Sequence, residues 1–298
     1  MSVDVSGLTH RYGDRLALSE VTFSVRPGEV FGLVGPNGGG KTTLFRILST
    51  SLAATSGSAT IAGVDVRDGA VRRKIGVVFQ SPSLDKKLTV RENLLHHGHL
   101  YGLSGRELAG RIDAALDRFR LADRAREIAE KLSGGMQRRV EIAKAILPRP
   151  EVLLLDEPST VLDPGARRDL WDVLRGLTGV TVLLTTHLLE EAERCDRLAI
   201  LHKGKIAAIG MPAALRGEVG GDVVTLRARD PGALAEAIRV KFGGAPEVSD
   251  GTVRLSRERG HEFVGGLVEA FGPQIESITV AKPSLEDVFL AKTRDPWT

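Results

Sequence analysis

The sequence predicts an α/β domain followed by a smaller α+β domain, and three observations support this prediction. Over the first 215 or so residues, short apolar runs alternate with amphipathic stretches, which is typical of an α/β fold. One of these runs leads directly into a glycine-rich loop and then into a segment with helical spacing. Beyond the glycines of residues 216–221, the order of elements becomes βαββαβ, which is typical of a ferredoxin-like arrangement.

The elements of the first domain are predicted from its apolar runs, which have the length and composition of buried strands in a parallel sheet. These runs are 30–34, 75–79, 152–155, 180–184 and 197–201. The segment 43–48 is predicted to be the helix after the glycine-rich loop, and 89–147 is predicted to be almost wholly helical. We therefore expect a first domain over residues 1–216, with a helical subdomain at about 85–148.

The rest of the chain, residues 217–298, has the pattern of a small separate domain. Its predicted elements are a strand at 222–228, a helix at 231–242, two short strands around Asp250-Gly251, a helix at 261–271, a strand at 277–280 and a helix at 284–292. This segment has no phosphate-binding loop and no paired carboxylates at a strand end. We therefore expect it to regulate the protein or to contact a partner.

Composition and charge exclude several classes of protein. Of the 298 residues, 42% are hydrophobic and 4% aromatic, and the formal net charge is only +3, so we expect no nucleic-acid partner. The single cysteine, Cys195, excludes an intrachain disulfide and is typical of a reducing compartment. The N-terminus has no signal-peptide pattern, and no apolar run approaches about 18 residues. The sequence thus predicts an intracellular protein with no spanning helix of its own.

The glycine-rich loop satisfies the pattern G-x-x-x-x-G-K-[ST], with an apolar strand before it and a helix after it. It consists of Gly35, Pro36, Asn37, Gly38, Gly39, Gly40, Lys41 and Thr42, and Thr43 follows in the helix. Glycines let successive backbone N–H groups point at phosphate oxygens, and the helix N-terminus adds positive potential. Lys41 would contact the β- and γ-phosphates and Thr42 would ligate Mg²⁺. The loop therefore predicts a nucleoside triphosphate site.

A pair of carboxylates, Asp156 and Glu157, follows the buried run 152–155. Two acidic groups at the end of a buried strand are costly without partners, so they indicate a site and not a packing role. Oxygen ligands suit Mg²⁺, and Asp156 fits a direct or water-mediated contact with the ion. Glu157 would then stand where a base orients the attacking water.

The segment Lys131-Leu132-Ser133-Gly134-Gly135-Met136-Gln137 resembles the signature sequence of ABC ATPases, and it lies between the two phosphate-site motifs, as in that family. The resemblance covers about residues 3–216. It implies a P-loop NTPase core of the ABC ATPase type with a helical signature subdomain. It also implies that Tyr12 stacks on adenine, that Gln80 senses Mg²⁺ and the attacking water, and that His187 reaches the γ-phosphate.

The same resemblance implies that the site is completed by a second subunit. In the family, the residues matching Ser133, Gly134 and Gly135 contact the nucleotide held by the partner, and the residue matching Asp163 crosses the dimer interface. We therefore expect a head-to-tail homodimer, or a heterodimer with a related ATPase, that sandwiches two ATP molecules and is closed by them. The segment 81–92 is expected to contact a separately encoded permease, on the cytoplasmic face of the cell membrane.

Three positions depart from the family pattern. Gly39 stands where the family usually has alanine or serine, Ser159 where it has threonine, and Val161 where it has glycine. A β-branched residue does not readily adopt a positive φ, so Val161 predicts another geometry for the loop that crosses the dimer interface.

The kind of process that the ATPase powers is predicted from the C-terminal segment. Residues 283–290, Pro-Ser-Leu-Glu-Asp-Val-Phe-Leu, resemble the ending of exporter ATPases of the daunorubicin-resistance type, which include multidrug, polysaccharide and lipid exporters. The alternatives are an importer ATPase or an ABC ATPase that acts on ribosomes or DNA. Ribosome-acting members usually carry two ATPase units, and DNA-acting members carry a very long coiled coil that the stretch from Lys41 to Ser133 is too short to hold. The sequence does not indicate the exported molecule.

Overall fold

A computed structural model describes residues 1–160, 162–249, 251–295 and 297 of the chain. They form two compact units, Met1–Ile209 and Gly210–Trp297. No helix in the described part of the chain is both long and apolar enough to cross a membrane. The predicted turn residue Asp250 and the predicted departure at Val161 lie outside the described residues.

The first unit is built on a six-stranded sheet that holds the predicted strands. Its strands are β3 (Val30–Val34), β6 (Ile75–Val78), β7 (Val152–Asp156), β8 (Thr181–Thr186), β9 (Arg197–His202) and β10 (Lys205–Gly210), in the spatial order β10-β9-β3-β8-β7-β6. The five strands from β9 to β6 pair in parallel. Their carboxyl ends therefore meet at one edge, which is where parallel sheets bind ligands.

A second sheet of the first unit is antiparallel, and the apolar-run criterion did not predict it. Its strands are β1 (Val3–Tyr12), β2 (Arg15–Val25), β4 (Ser56–Ile61) and β5 (Val64–Asp65), in the order β2-β1-β4-β5. β1 and β2 alternate between buried and exposed residues, with Gly13 at a positive φ in the turn between them. Such half-buried strands have no continuous apolar run for that criterion to detect.

The helices of the first unit cover the parallel sheet and form the helical subdomain. They are α1 (Lys41–Leu48), α2 (Val90–Leu100), α3 (Gly105–Arg118), α4 (Gly134–Ile146), α5 (Pro164–Arg175) and α6 (Leu189–Ala192). The stretch predicted to be almost wholly helical is thus three helices. Gly102, at a positive φ, lies between α2 and α3, and α3 begins at Gly105, which also has a positive φ. Two short 3₁₀ turns, Ala122–Arg124 and Ala129–Lys131, lie between α3 and α4.

The parallel sheet is buried on both faces, as its apolar composition predicts. Along β7, Val152 and Leu154 belong to a core with α1 and the antiparallel sheet, while Leu153 and Leu155 belong to a core with the helical subdomain. All four side chains are fully buried. Strand β7 is therefore packed between two apolar cores, and the position of its last residue, Asp156, is fixed by this packing.

The second unit has the predicted βαββαβ order and an additional helix at its start. Its elements are α7 (Pro212–Val219), β11 (Asp222–Ala228), α8 (Pro231–Phe242), β12 (Glu247–Ser249), β13 (Thr252–Arg257), α9 (Gly260–Phe271), β14 (Ile275–Ala281) and α10 (Leu285–Thr293). The strands pair antiparallel in the order β12-β13-β11-β14. This is the arrangement of a ferredoxin-like fold.

The unit boundary lies between Ile209 and Gly210, a few residues before the predicted boundary at 216–217. Helix α7 explains the difference, because it packs on α10 and Glu218 forms an ion pair with Lys292 at 2.7 Å. The apolar core of the second unit, which includes Val224 and Leu267, contains no residue of the first. Each unit therefore has its own core.

We predict that a chain ending at Met211, which keeps β10 whole, folds and binds ATP as the full chain does. Every residue of the predicted phosphate site lies in the first unit, and the second has a separate core. ATP affinity should stay within roughly threefold, which is less than 1 kcal/mol. Titration with a fluorescent ATP analogue measures this, with circular dichroism as the control for folding. A folded truncated chain that no longer binds ATP would contradict the domain division.

Candidate active site

The predicted phosphate loop connects β3 to α1. Some of its positions require glycine because a Cβ would clash with neighbouring atoms, and others because the backbone has a positive φ. A Cβ at Gly35 would stand 2.1 Å from the carbonyl oxygen of Leu201. Gly38 and Gly40 have φ of 76° and 109°, which only glycine adopts without strain. At Gly39 a Cβ would stand 2.9 Å from the same Leu201 oxygen. The glycine that departs from the family pattern therefore fits the space that β9 leaves.

The side chain of Lys41 is buried inside this loop. Its Nζ donates to the carbonyl oxygens of Gly35 at 2.7 Å and Pro36 at 3.1 Å, and it lies 3.7 Å from Oε1 of Glu157. Burial lowers the pKa of the Lys41 ammonium, and the Glu157 carboxylate opposes that shift. A cation held by carbonyls and a carboxylate at the start of a helix is placed to meet phosphate oxygens.

A cleft of about 500 Å³ opens over the loop. The predicted residues that line it are Tyr12, Asn37, Gly38, Gly40, Lys41, Thr42, Thr43 and Glu157. Three basic residues that the sequence analysis did not single out, Arg15, Arg46 and Lys203, line it too. Arg15 could have been predicted to lie at the cleft because it is close to Tyr12 in sequence. Lys203 is far from the other residues in sequence and reaches the cleft only through the fold.

Tyr12 ends β1 at the rim of the cleft. Tyr12 is 43% exposed, and its ring packs against the buried ring of His10 in a T-shaped arrangement, with centroids 4.5 Å apart. An exposed aromatic ring at the rim of a cleft is suited to stack on a planar base.

The end of β7 holds the two predicted carboxylates in different surroundings. Asp156 is 5% exposed, and its Oδ1 accepts a hydrogen bond from the Thr185 hydroxyl at 2.6 Å. Burial raises the pKa of Asp156, while the bond from Thr185 and the nearby Lys41 oppose the rise. Thr185 lies beside Asp156 in the parallel register of β7 and β8, a pairing that the sequence pattern alone did not reveal.

Glu157 stands at the junction of the cleft and the sheet, with its backbone at a φ of 44°. Its N–H donates to the Thr185 hydroxyl at 2.9 Å. Its Oε2 accepts from the Thr160 hydroxyl at 3.0 Å and lies 3.1 Å from Nδ1 of His187, which follows β8. The structure thus brings the predicted residues Lys41, Glu157 and His187 together.

Other predicted residues are not among the described residues that line this cleft. Gln80 is exposed and follows β6, the neighbour of β7. Ser133 is the N-cap of α4, where its hydroxyl accepts from the N–H of Met136 at 3.3 Å. Asp163 is the N-cap of α5, and the N–H groups of Ala166 and Gly165 hold its pKa below the usual value.

The N-termini of α4 and α5 lie side by side. A Cβ at Gly135 would come within 2.8 Å of the Cβ of Ala166, so the two helix starts are in close contact. Ser133, Gly134 and Asp163 are exposed there. Two helix N-termini with exposed capping groups form a surface that suits an anion or another chain.

The family model described as ABC transporter matches residues 18–160. The daunorubicin resistance ATP-binding protein DrrA3 of Streptomyces coeruleorubidus is 40% identical, over 99% of this chain and 96% of its own length. The Nod factor export ATP-binding protein I of Rhizobium sp. (strain N33) is 40% identical, over 98% of this chain and 97% of its own length. These relatives are similar to both units.

Two solved structures of similar proteins cover about 70% to 74% of this chain. The structure of an ATP-binding subunit of an ABC transporter has a TM-score of 0.66 at 34% identity and covers 74% of this chain and 94% of its own. The dimeric post-hydrolysis state of the ATP-binding cassette MJ0796, bound to ADP and Pi, has a TM-score of 0.63 at 30% identity, with coverages of 70% and 98%. The fold class predicted from the sequence is confirmed.

Proposed function

The chain belongs to the ABC transporter family as an ATPase, and we propose that it powers an exporter whose membrane permease is a separate polypeptide. The observation that supports export most is the match to ATPases named for daunorubicin resistance and Nod factor export over 98–99% of the chain. That match includes the second unit, whereas the ATP-binding subunit of known structure covers 74%. No relative named here favours an importer or an ATPase of ribosomes or DNA.

ATP would occupy the cleft with its adenine on Tyr12 and its phosphates on the loop around Lys41. We propose Thr42 and Asp156 as Mg²⁺ ligands, with Gln80 as a further ligand from the neighbouring strand end. The donor set fits: hydroxyl, carboxylate and amide oxygens suit Mg²⁺, which is usually held by one or two carboxylates plus phosphates. The ion's chemistry would be to neutralise charge on the β- and γ-phosphates.

Glu157 is proposed as the group that orients the attacking water and accepts its proton. Its Oε2 is fixed by the Thr160 hydroxyl and His187, and its Oε1 faces the Lys41 ammonium at 3.7 Å. His187 would hold the carboxylate and reach the γ-phosphate. The carboxylate is therefore held between a phosphate-binding cation and an imidazole, which restricts where the water stands.

The proposed working state is a head-to-tail dimer, made of two copies of this chain or of this chain and a related ATPase. Ser133, Gly134, Gly135 and Asp163 would act on the nucleotide of the partner. The exposure of Ser133, Gly134 and Asp163 at two adjacent helix N-termini supports this role, as does the dimeric MJ0796 structure among similar proteins. Through the permease, the dimer would be held at the cytoplasmic face of the cell membrane, with no nucleic-acid partner.

We predict that Glu157→Gln retains ATP binding, loses turnover and accumulates as an ATP-bound dimer. A general base contributes about 10²- to 10⁴-fold, so the loss should be large. Phosphate release and size-exclusion chromatography with ATP measure the two effects. Glu151→Gln is the matched control, because Glu151 precedes the same strand at its other end and pairs only with exposed Lys74 among its described ion pairs. Hydrolysis at the parental rate by Glu157→Gln would show that the proposed base is wrong.

We also predict that two inactive variants complement each other when mixed. Ser133→Arg keeps its own phosphate loop but cannot complete the partner's site, and Lys41→Ala has the reverse defect. A mixed dimer has one intact site, so equal mixing should restore about a quarter of the parental ATPase rate. Each variant is measured alone and after mixing. Activity of Ser133→Arg alone, independent of protein concentration, would contradict a site shared between subunits.

The permease contact is tested by charge reversal in the segment 81–92. We expect the double change Lys86→Glu and Lys87→Glu to reduce co-purification with the permease in detergent, because both residues are exposed in that segment. Arg72→Glu with Arg73→Glu is the matched control, since this adjacent pair is also exposed but lies before β6. Equal recovery of the permease with both double variants would contradict the assignment, provided that each retains ATP binding.

A further inference from the structure

The most completely bonded buried charge at this edge of the sheet is Arg138, which lies in the first turns of α4, just after the signature residues. Its side chain is only 6% exposed. A buried guanidinium is costly unless its donors are satisfied. Its burial is not predictable from the sequence pattern, because an arginine in a helix is usually exposed.

All five N–H donors of Arg138 have an acceptor. Nε donates to the carbonyl oxygen of Pro158 at 2.9 Å, and Nη2 donates to those of Asp156 at 3.1 Å and Glu157 at 3.4 Å. Nη1 donates to the carbonyl oxygen of Phe79 at 2.7 Å and to the Glu141 carboxylate. The guanidinium therefore bridges the carboxyl ends of β7 and β6, which carry Glu157 and Gln80.

Glu141, one turn further along α4, balances this charge. It is 2% exposed, and its Oε2 lies 2.9 Å from Nη1 of Arg138. Its Oε1 accepts the N–H of Ser83 at 2.6 Å, and Lys144 donates to the carbonyl oxygen of Ser83 at 2.7 Å. Helix α4 thus binds the chain on both sides of Gln80, at Phe79 and at Ser83.

The backbone of Glu157 needs such support. A φ of 44° is unfavourable for a residue with a Cβ, and conformations of this kind persist only where the surroundings hold them. Thr185 holds the N–H side of Glu157, and Arg138 holds three successive carbonyl groups at Asp156, Glu157 and Pro158. The direction of the Glu157 carboxylate depends on these peptides.

We propose that Arg138 is a positioning residue for ATP hydrolysis: by joining the end of β7 to the end of β6, it holds Glu157 and Gln80 toward the same γ-phosphate. This inference rests on the proposed roles of Glu157 and Gln80. Arg138 is not among the described residues that line the cleft, and its bonds go to backbone carbonyl groups and Glu141. Its effect should therefore appear in kcat and not in ATP affinity.

The test is Arg138→Lys, which keeps the charge but loses the planar fork that reaches both strand ends. A displacement of about 1 Å in a catalytic group can cost about 10²-fold, so we expect kcat to fall by roughly 10- to 100-fold. ATP affinity, measured by titration with a fluorescent analogue, should stay within about threefold of the parent. A parental kcat in folded Arg138→Lys would overturn the proposal, as would an affinity loss that matches the loss of kcat.

Arg111→Lys is the matched control for a merely structural role. Arg111 lies in α3, is 17% exposed, and donates to the carbonyl oxygen of Leu147 at 3.1 Å and to Glu107 at 2.6 Å. Like Arg138, it bonds a backbone carbonyl group and a glutamate of its own helix in the helical subdomain, but it has no contact to β6 or β7 among its described bonds. We expect a lower melting temperature with an unchanged kcat. A comparable loss of kcat in Arg111→Lys would show that general loosening of the subdomain explains both results.

A double variant separates failure of this proposal from failure of the proposed base. In a Glu157→Gln background, single-turnover hydrolysis should lose much less from Arg138→Lys than it does in the parent, because both changes act on one group. An equal loss in both backgrounds would overturn the route through Glu157. Parental hydrolysis by the single variant Glu157→Gln would instead show that Glu157 is not the base. The kcat of Arg138→Lys would then be interpreted without reference to Glu157.

If Arg138→Lys does not fold, the double variant Arg138→Gln with Glu141→Gln, in which both side chains are neutral, is used for the same measurements. It leaves no unpaired buried charge, which is the main risk of changing Arg138 alone. Glutamine has one amide group and reaches one carbonyl at most in place of the four that Arg138 bonds. We expect the same fall in kcat at preserved ATP affinity, and a parental kcat would overturn the proposal.

Discussion

The site depends on the hydrogen bonds that close around the end of β7. This strand is clamped between two apolar cores, so Asp156 emerges at a fixed place, and the chain then turns through the left-handed region at Glu157. Thr185 on β8 bonds both the Asp156 carboxylate and the Glu157 N–H, while Arg138 on α4 bonds the carbonyl groups. Two elements far apart in sequence thus fix one turn, and the position of the proposed base, Glu157, follows from that turn.

Electrostatics ties the phosphate loop to the same turn. Lys41 and Asp156 are both buried, and burial shifts the pKa of each toward its neutral form, lower for the lysine and higher for the acid. Each also favours the charged form of the other, and the Glu157 carboxylate lies 3.7 Å from the Lys41 ammonium. In the proposed function, a triphosphate with its Mg²⁺ would add anionic oxygens near the lysine and a cation near the acid. The nucleotide and its metal would then complete a charge arrangement that the protein alone holds only in part.

The features that could be predicted from the sequence are those that a local pattern of residues determines. Strands that are buried on both faces are recognisable in a sequence as continuous apolar runs. The position of the parallel sheet and its binding edge was therefore predicted from the four-residue apolar run before Asp156 and from the loop that contains Lys41. The antiparallel sheet that begins at Val3 left no such trace, since its strands are half exposed. The partners Thr185 and Arg138 were not predicted either. Strand register and the burial of one helical arginine depend on tertiary packing, which spacing in a single sequence does not encode.

Helix α4 connects the surface proposed to contact the partner subunit with the segment proposed to contact the permease. Ser133 caps its first turn, facing the proposed partner site, while Glu141 and Lys144 bond Ser83 in the proposed permease segment. From Ser133 to Lys144 an α-helix spans about 16 Å, and Arg138 sits between them on the strand ends. A helix displaced at one end carries these bonds with it. Nucleotide bound by one subunit and permease contact on the other would then bias a single element, and such a coupling must act equally in both directions.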